Sequence, residues 1–190
     1  MVVLASNSPR RSELLTQIGV SHEVRPSSIN EKDIKLSKGE FYSICLDLAE
    51  SKAKDIAMKN QKSTVIGADT IVVNKGAIYN KPSDLDDCKE MLKSLSGKYH
   101  YVYTGVCIRN ISLKVKVGFI EMTKVKFMAL NDKDIEFYIN NYPVLDKSGG
   151  YGIQCYASTF VDQIEGCFFN VVGLPLARLN QELKKIKAIG

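Results

Sequence analysis

Apolar residues recur along the chain at two spacings, and the switches between them predict a mixed α/β fold. Val2 to Ala5 is a short unbroken apolar run, the pattern of a buried strand. Ser6-Asn7-Ser8-Pro9 then reads as a turn into a helix, with Pro9 at its first position. Leu14, Leu15 and Ile18 give that helix an apolar face, and Gly19 ends it. Between Phe41 and Met58 the i, i+3, i+4 rule selects Phe41, Ile44, Cys45, Leu48, Ala49, Ala53, Ile56 and Ala57, and Lys52 falls on the same stripe. Thr64 to Val73 reads as a strand, and Asn74-Lys75-Gly76 as a hairpin turn into Ala77 to Tyr79. Ser83 with Asp86 has the form of a capping box, opening a helix that buries Leu85, Cys88, Met91, Leu92 and Leu95. Tyr99 to Ile111 and Leu113 to Met128 predict a long antiparallel pair with a turn near Asn110. Asn131 caps a helix that turns Ile135, Tyr138 and Ile139 inward, and Gly173-Leu174-Pro175 opens the last helix. The pattern predicts one domain over residues 1–190 with two lobes, the second an insertion-like lobe from about residue 74 to 145.

Functional candidates are the polar residues that break this pattern. Asp69 interrupts the apolar strand Val65-Ile66-Gly67-Ala68-Asp69-Thr70-Ile71-Val72-Val73. A carboxylate there pays for desolvation unless it is paired, metal-bound or turned to solvent at the strand end. Gly67 and Ala68 remove bulk before it, which suits close approach of a ligand. Lys52, on an apolar stripe, either snorkels outward or pairs with a buried carboxylate or a phosphate. Ser6-Asn7-Ser8-Pro9-Arg10-Arg11 leads a strand into a helix N-terminus, where backbone N–H groups and the positive dipole end favour an anion. Two arginines in that first turn oppose the dipole, and a polyanion bound there would make them tolerable; two solvated surface arginines are the plainer alternative. Neither the P-loop spacing nor G-x-G-x-x-G occurs. Asp146-Lys147-Ser148-Gly149-Gly150-Tyr151-Gly152-Ile153-Gln154 is either a shaped loop beside a ligand, with Gln154 able to read a base edge, or a plain turn. An anion cradle, lysines and a carboxylate together fit phosphoryl transfer chemistry.

Composition narrows the alternatives. A net charge of +5 suits a polyanionic small substrate as well as nucleic acid. The basic residues are scattered, and the aromatics do not interleave with them as a stacking platform requires, so nucleic acid is not expected as a partner. Lys184, Lys185 and Lys187 read as a solvated helix end. No apolar run approaches the ~20 residues that span a bilayer, so no membrane association is expected. Five widely spaced cysteines without C-x-x-C predict neither a zinc site nor a disulfide framework, and suit a reducing, cytoplasmic setting. The two histidines, His22 and His100, stand beside no nucleophile motif, which argues against Ser-His or Cys-His catalysis.

Eight stretches in order resemble the Maf nucleotide pyrophosphatases over nearly the whole chain. They are Leu4 to Arg11, Leu48-Ala49-Glu50-Ser51-Lys52-Ala53, Gly67-Ala68-Asp69-Thr70, Lys81-Pro82, Leu95-Ser96-Gly97, Thr104-Gly105-Val106, Asp146 to Gln154, and Val171-Val172-Gly173-Leu174-Pro175. The resemblance implies an elongated mixed sheet with flanking helices in two lobes around a central cleft, similar to the inosine triphosphatase fold. It implies hydrolysis of a nucleoside triphosphate to the monophosphate and pyrophosphate with a divalent cation, Mg²⁺ or Mn²⁺. By that likeness Asp69 accepts the proton of the attacking water and, with Glu31, holds the metal. Ser6, Arg10, Arg11, Lys52 and Lys81 clamp phosphates, the two lysines acting on the leaving pyrophosphate. Arg10, Thr70 and Gln154 match positions used for substrate choice. Gly-Ala-Asp-Thr with Tyr-Gly-Ile-Gln resembles the subgroup that takes dTTP and UTP rather than the one that takes 7-methyl-GTP. The chain departs from the family pattern at Asn30, at Tyr142-Pro143 and at Cys155. A homodimer and a role in nucleotide house-cleaning or cell division are implied by resemblance alone. A nucleotide-binding regulator without turnover is the rival reading.

Overall fold

The computed structural model describes residues 1–30 and 42–189. The fold class is the expected mixed α/β: a seven-stranded sheet with flanking helices. Its strands are β1 (Val2–Leu4), β2 (His22–Val24), β3 (Thr64–Asn74), β4 (Ala77–Tyr79), β5 (Tyr99–Asn110), β6 (Val115–Phe127) and β7 (Val161–Glu165). They run in the order β2-β1-β3-β5-β6-β7, with β4 paired to β3. The chain divides into two compact units. One comprises Met1–Asp69, Thr104–Glu121 and Gly173–Gly190, the other Thr70–Tyr103 and Met122–Val172. The division falls inside β3, between Asp69 and Thr70.

In the first unit, β1 pairs in parallel with β2 and with β3, Leu4 lying opposite Val24 and Ile66. Parallel strands need crossover connections, and the chain supplies helix α1 (Pro9–Gln17) between β1 and β2. His22 ties the two: its Nδ1 lies 2.8 Å from the Val20 carbonyl and its Nε2 2.8 Å from Ser12 Oγ. The sequence spacing hides this Ser–His contact. Helix α2 (Ser43–Lys59) buries the expected Cys45, Leu48, Ala49, Ala53, Ile56 and Ala57; Phe41 lies outside the described residues.

At two glycines helix α2 meets a strand that has no side chain to hold it off. A Cβ on Gly67 of β3 would lie 2.3 Å from the Ala49 carbonyl oxygen and 2.8 Å from Ala53 N. One on Gly105 of β5 would lie 2.4 Å from the Cys45 carbonyl carbon. Gly67 therefore makes room for the helix backbone, which corrects the expectation that it makes room for a ligand. Ala49 and Ala53 join Val3, Ala5, Ile56, Ala57, Val65 and Cys107 in one fully enclosed cluster.

In the second unit, helix α3 (Leu85–Leu95) begins one residue later than the Ser83–Asp86 capping box predicts. Asp84 is the N-cap and accepts from Asp87 N at 2.8 Å, while Asp87 Oδ2 accepts from Ser83 N at 2.9 Å. The arrangement is close to a capping box with carboxylates in both places, except that the returning carboxylate takes the N–H of Ser83, one residue before the cap. The shift turns Leu85 outward, 42% exposed, where the stripe had it inward. Helix α4 (Asp132–Asn141) is capped by Asn131 and buries Ile135, Tyr138 and Ile139 as expected. Strands β2 and β7 and the short helix α5 (Phe168–Val172) have no counterpart in the predicted pattern, and helix α6 (Leu176–Lys185) follows Pro175. All five cysteines are free thiols. Among the described residues no helix is long and apolar enough to cross a membrane.

The glycine contacts set a stability prediction. Gly67→Ala and Gly105→Ala each force a methyl into backbone atoms that cannot rotate away, at about 1–3 kcal/mol or more. Gly118→Ala, which would meet only the end of the Glu50 side chain at 3.2 Å and Leu46 methyls, is the control. Urea melts should show the first two clearly destabilised and the third within about 0.5 kcal/mol of wild type; equal melts for all three would contradict the packing argument.

Candidate active site

Pairing of β1 with β3 continues one step past the strand, Ala5 N–H donating to the Ile66 carbonyl at 2.8 Å. Ser6 then begins the loop that enters α1. Ser8 sits at the N-cap in extended conformation and makes no side-chain cap, and Pro9 occupies the first turn. The N–H of Ser8 points back instead, to Ser6 Oγ at 3.2 Å. Arg10 is half-buried. Arg11 is only 9% exposed; its Nε donates to the Gly173 carbonyl at 2.8 Å and its Nη1 to Ser6 Oγ at 3.1 Å. Two solvated arginines, the plainer reading of this turn, is thus wrong for Arg11. The helix periodicity could not show it, because the partner is 162 residues away.

Asp69 and Lys52 meet. Lys52 Nζ lies 2.6 Å from Asp69 Oδ1, and each side chain is 14% exposed. Neither faces solvent freely, so the snorkelling lysine and the solvent-facing aspartate are both excluded. The close approach of α2 at Gly67 sets this distance: Lys52 precedes Ala53, whose amide packs on the glycine two residues before Asp69. Burial, with the Asp69 carboxylate adding to it, pushes the Cys45 thiol up to about 12. Cys45 is therefore an inert thiol beside the pair.

The remaining described candidates, Thr70, Lys81 and Gln154, belong to the second unit. Thr70 is half-buried, and its carbonyl accepts from Ser148 Oγ at 3.0 Å. Lys81 is exposed, following Asn80, whose carbonyl accepts from Gly149 N at 3.0 Å. The Asp146–Gln154 loop thus joins the strand at Thr70 to the segment that carries Lys81. Its glycines serve the protein's own packing: Gly149 and Gly150 have φ of +72° and +74°, and a Cβ on Gly150 would lie 2.7 Å from Cys88 Sγ. Lys147 is buried, pairing with Asp146 at 2.5 Å and donating to the Pro143 carbonyl. Gly152 N–H donates to Tyr138 Oη at 3.0 Å, and His100 Nε2 lies 2.7 Å from Tyr151 Oη. Gln154 stands exposed at the following turn. Tyr138, read from periodicity only as a core residue, and His100 are the loop's supports that sequence reasoning missed. A buried tyrosine needs a partner for its hydroxyl, and that was the signal available.

Glu31 lies outside the described residues. Among those described, no three of His, Cys, Asp and Glu group so as to hold a metal ion. Asp69 is the described carboxylate that the sequence analysis assigns to one.

Comparison with known proteins is consistent along the whole chain. The family model described as Maf-like protein matches residues 1–186. A dTTP/UTP pyrophosphatase of Carboxydothermus hydrogenoformans is 44% identical over 184 residues, covering 97% of each chain. Proteins of the same name from Bacillus cereus and Pyrococcus furiosus are 45% and 44% identical, covering 97% of this chain and 94% and 98% of theirs. Among solved structures, the Ham1 protein of Staphylococcus aureus is similar in fold, with a TM-score of 0.50 at 18% identity, over 95% of this chain and 98% of that one.

Two measurements follow from these contacts. Lys52→Met and Asp69→Asn each strand a largely buried partner and should cost about 1–3 kcal/mol. The double variant should recover part of the summed loss; strict additivity in urea melts would mean the pair is not coupled. Burial holds the His100 imidazole down at about 4, below its ordinary 6.5. The unfolded chain therefore binds the proton first as pH falls. Stability is full above about pH 6.5 and declines toward pH 4, by at most about 3 kcal/mol from this residue. His100→Phe should flatten that slope, and an unchanged slope would remove His100 as its source.

Proposed function

The chain belongs to the Maf family, and we propose that it hydrolyses dTTP and UTP to the monophosphate and pyrophosphate. One observation carries the proposal. A carboxylate paired at 2.6 Å with a lysine stands on β3 just past the stretch that pairs with β1, and the Ser6–Arg11 loop leaves β1 at that same end. Ligands of parallel α/β sheets bind at the carboxyl ends of strands. An anion-binding loop and a proton acceptor at one such end suit hydrolysis of a phosphoanhydride.

In this reading Ser6 and the N-terminus of α1 bind one phosphate and Arg10 offsets its charge, with Arg11 contributing from its buried position. Asp69 orients the water and takes its proton. Lys52 pairs with Asp69 in the free protein and offsets charge on the leaving pyrophosphate, a task shared with Lys81. Thr70 and Gln154 choose the base. Thymine and uracil both present a carbonyl acceptor at position 4 and an N3–H donor, and an amide answers both, whereas cytosine reverses the pair. Mg²⁺ or Mn²⁺ fits the donor set, since such cations take one or two carboxylates and complete their shell with phosphate oxygens and water. Asp69 and Glu31 would hold it, and when bound it neutralises phosphate charge and lowers the pKa of water. Five free thiols support a reducing, cytoplasmic setting.

Pyrophosphate release should depend on added Mg²⁺ or Mn²⁺ and be fastest with dTTP and UTP in a panel with CTP, 7-methyl-GTP and ATP. Asp69→Asn should lower kcat by roughly 10²–10⁴-fold with little change in KM. Near-normal turnover by that variant would remove Asp69 as the base. No release from any triphosphate would leave a protein that binds nucleotide without turnover.

A further inference from the structure

Arg11 and Arg10 are neighbours on α1, yet they stand in different surroundings. Successive helical residues point about 100° apart. Arg10 is half-buried, and Arg11 is enclosed with two donors aimed at protein oxygens. The acceptor of its Nε is the carbonyl of Gly173, in the turn before α6. Gly173 has φ of +123°, a conformation that side chains disfavour, so the direction of this carbonyl depends on a glycine there.

The second acceptor carries the argument. A serine hydroxyl has two lone pairs and one proton. Ser6 Oγ accepts from Arg11 Nη1 at 3.1 Å and from Ser8 N–H at 3.2 Å. Both lone pairs are used, and Ser6 as a residue is buried, 6% exposed. What Ser6 has left to offer is its proton, and donation by a cation into the oxygen strengthens the O–H as a donor.

We propose that Arg11 is a positioning residue: anchored on the Gly173 carbonyl, it joins the Ser8 amide in presetting the Ser6 hydroxyl as a hydrogen-bond donor to a phosphate oxygen. This rests on the reading that the nucleotide's phosphates bind at the start of α1, and it reassigns Arg11 from phosphate clamp to support. Charge neutralisation at that phosphate then falls to Arg10. The arrangement selects for an acceptor: a phosphate oxygen suits Ser6, and a donor group such as an amine meets no free lone pair there.

The test is a double-mutant cycle with α,β-methylene-UTP as probe, its binding measured calorimetrically with Mg²⁺. Ser6→Ala should weaken binding by roughly 10–100-fold, the range for a hydrogen bond to a charged group. Arg11→Lys, which keeps the charge and loses the fork, should weaken it by nearly as much. The double variant should be no weaker than Ser6→Ala alone, because Arg11 acts through Ser6. Additive losses would overturn the proposal and leave the phosphate site in place. An unaffected Ser6→Ala would instead sink the placement of phosphate at α1. Should Arg11→Lys fail to fold, the wild type answers by nitrogen-15 NMR of arginine Nε–H groups, assigned with Arg10→Lys. The Arg11 signal should be protected from exchange and unmoved by the probe while that of Arg10 shifts; a large shift at Arg11 would overturn the proposal.

Discussion

Helix α2 touches the sheet backbone to backbone at Gly67 and Gly105, and the position of Lys52 follows from that contact. Side chains normally stand between a helix and a sheet, and here two strands give up theirs at the contact points. The helix comes in far enough for a lysine on its buried stripe to reach a carboxylate in the middle of a strand. Each charge would be costly at 14% exposure without the other. The pair therefore depends on the glycines, whose nearest neighbours are the backbone atoms of α2.

The same economy of positions appears at Ser6 and Arg11. A cation in the first turn of a helix opposes the dipole. Arg11 is tolerated because its guanidinium reaches past the helix end, to the Gly173 carbonyl and the Ser6 hydroxyl. Local electrostatics alone would remove it, and tertiary hydrogen bonds retain it. In the second unit the Asp146–Gln154 loop is likewise fixed by distant partners, Thr70, Asn80, Tyr138 and His100, before it presents Gln154.

Periodicity made most helices and the long strands legible, because each buries one continuous face. It missed β2, whose His-Glu-Val is exposed or half-buried and carries no alternation, and β7 for the same reason. The α3 boundary slipped by one residue because serine and aspartate both cap helices, and Ser83-Asp84 offers the two in succession. Asp69 and Lys52 were legible as anomalies, a carboxylate that needs a partner and a lysine that pairs with a buried carboxylate or a phosphate or else snorkels outward, but not as each other's partner. Gly67 was legible as a need for space, and only the fold shows that the occupant is a helix. The link from Arg11 to Gly173 was beyond any local pattern, since it is made across 162 residues.

The central claim is that the Lys52–Asp69 pair and the Ser6 loop serve one bound triphosphate. A crystal structure with α,β-methylene-UTP and Mn²⁺, the metal located by its anomalous signal, tests this most directly. The account predicts Mn²⁺ against an Asp69 oxygen and a phosphate oxygen within hydrogen-bonding distance of Ser6 Oγ, with the Arg11–Gly173 contact intact. Nucleotide bound away from α1, or Mn²⁺ held without Asp69, would contradict it.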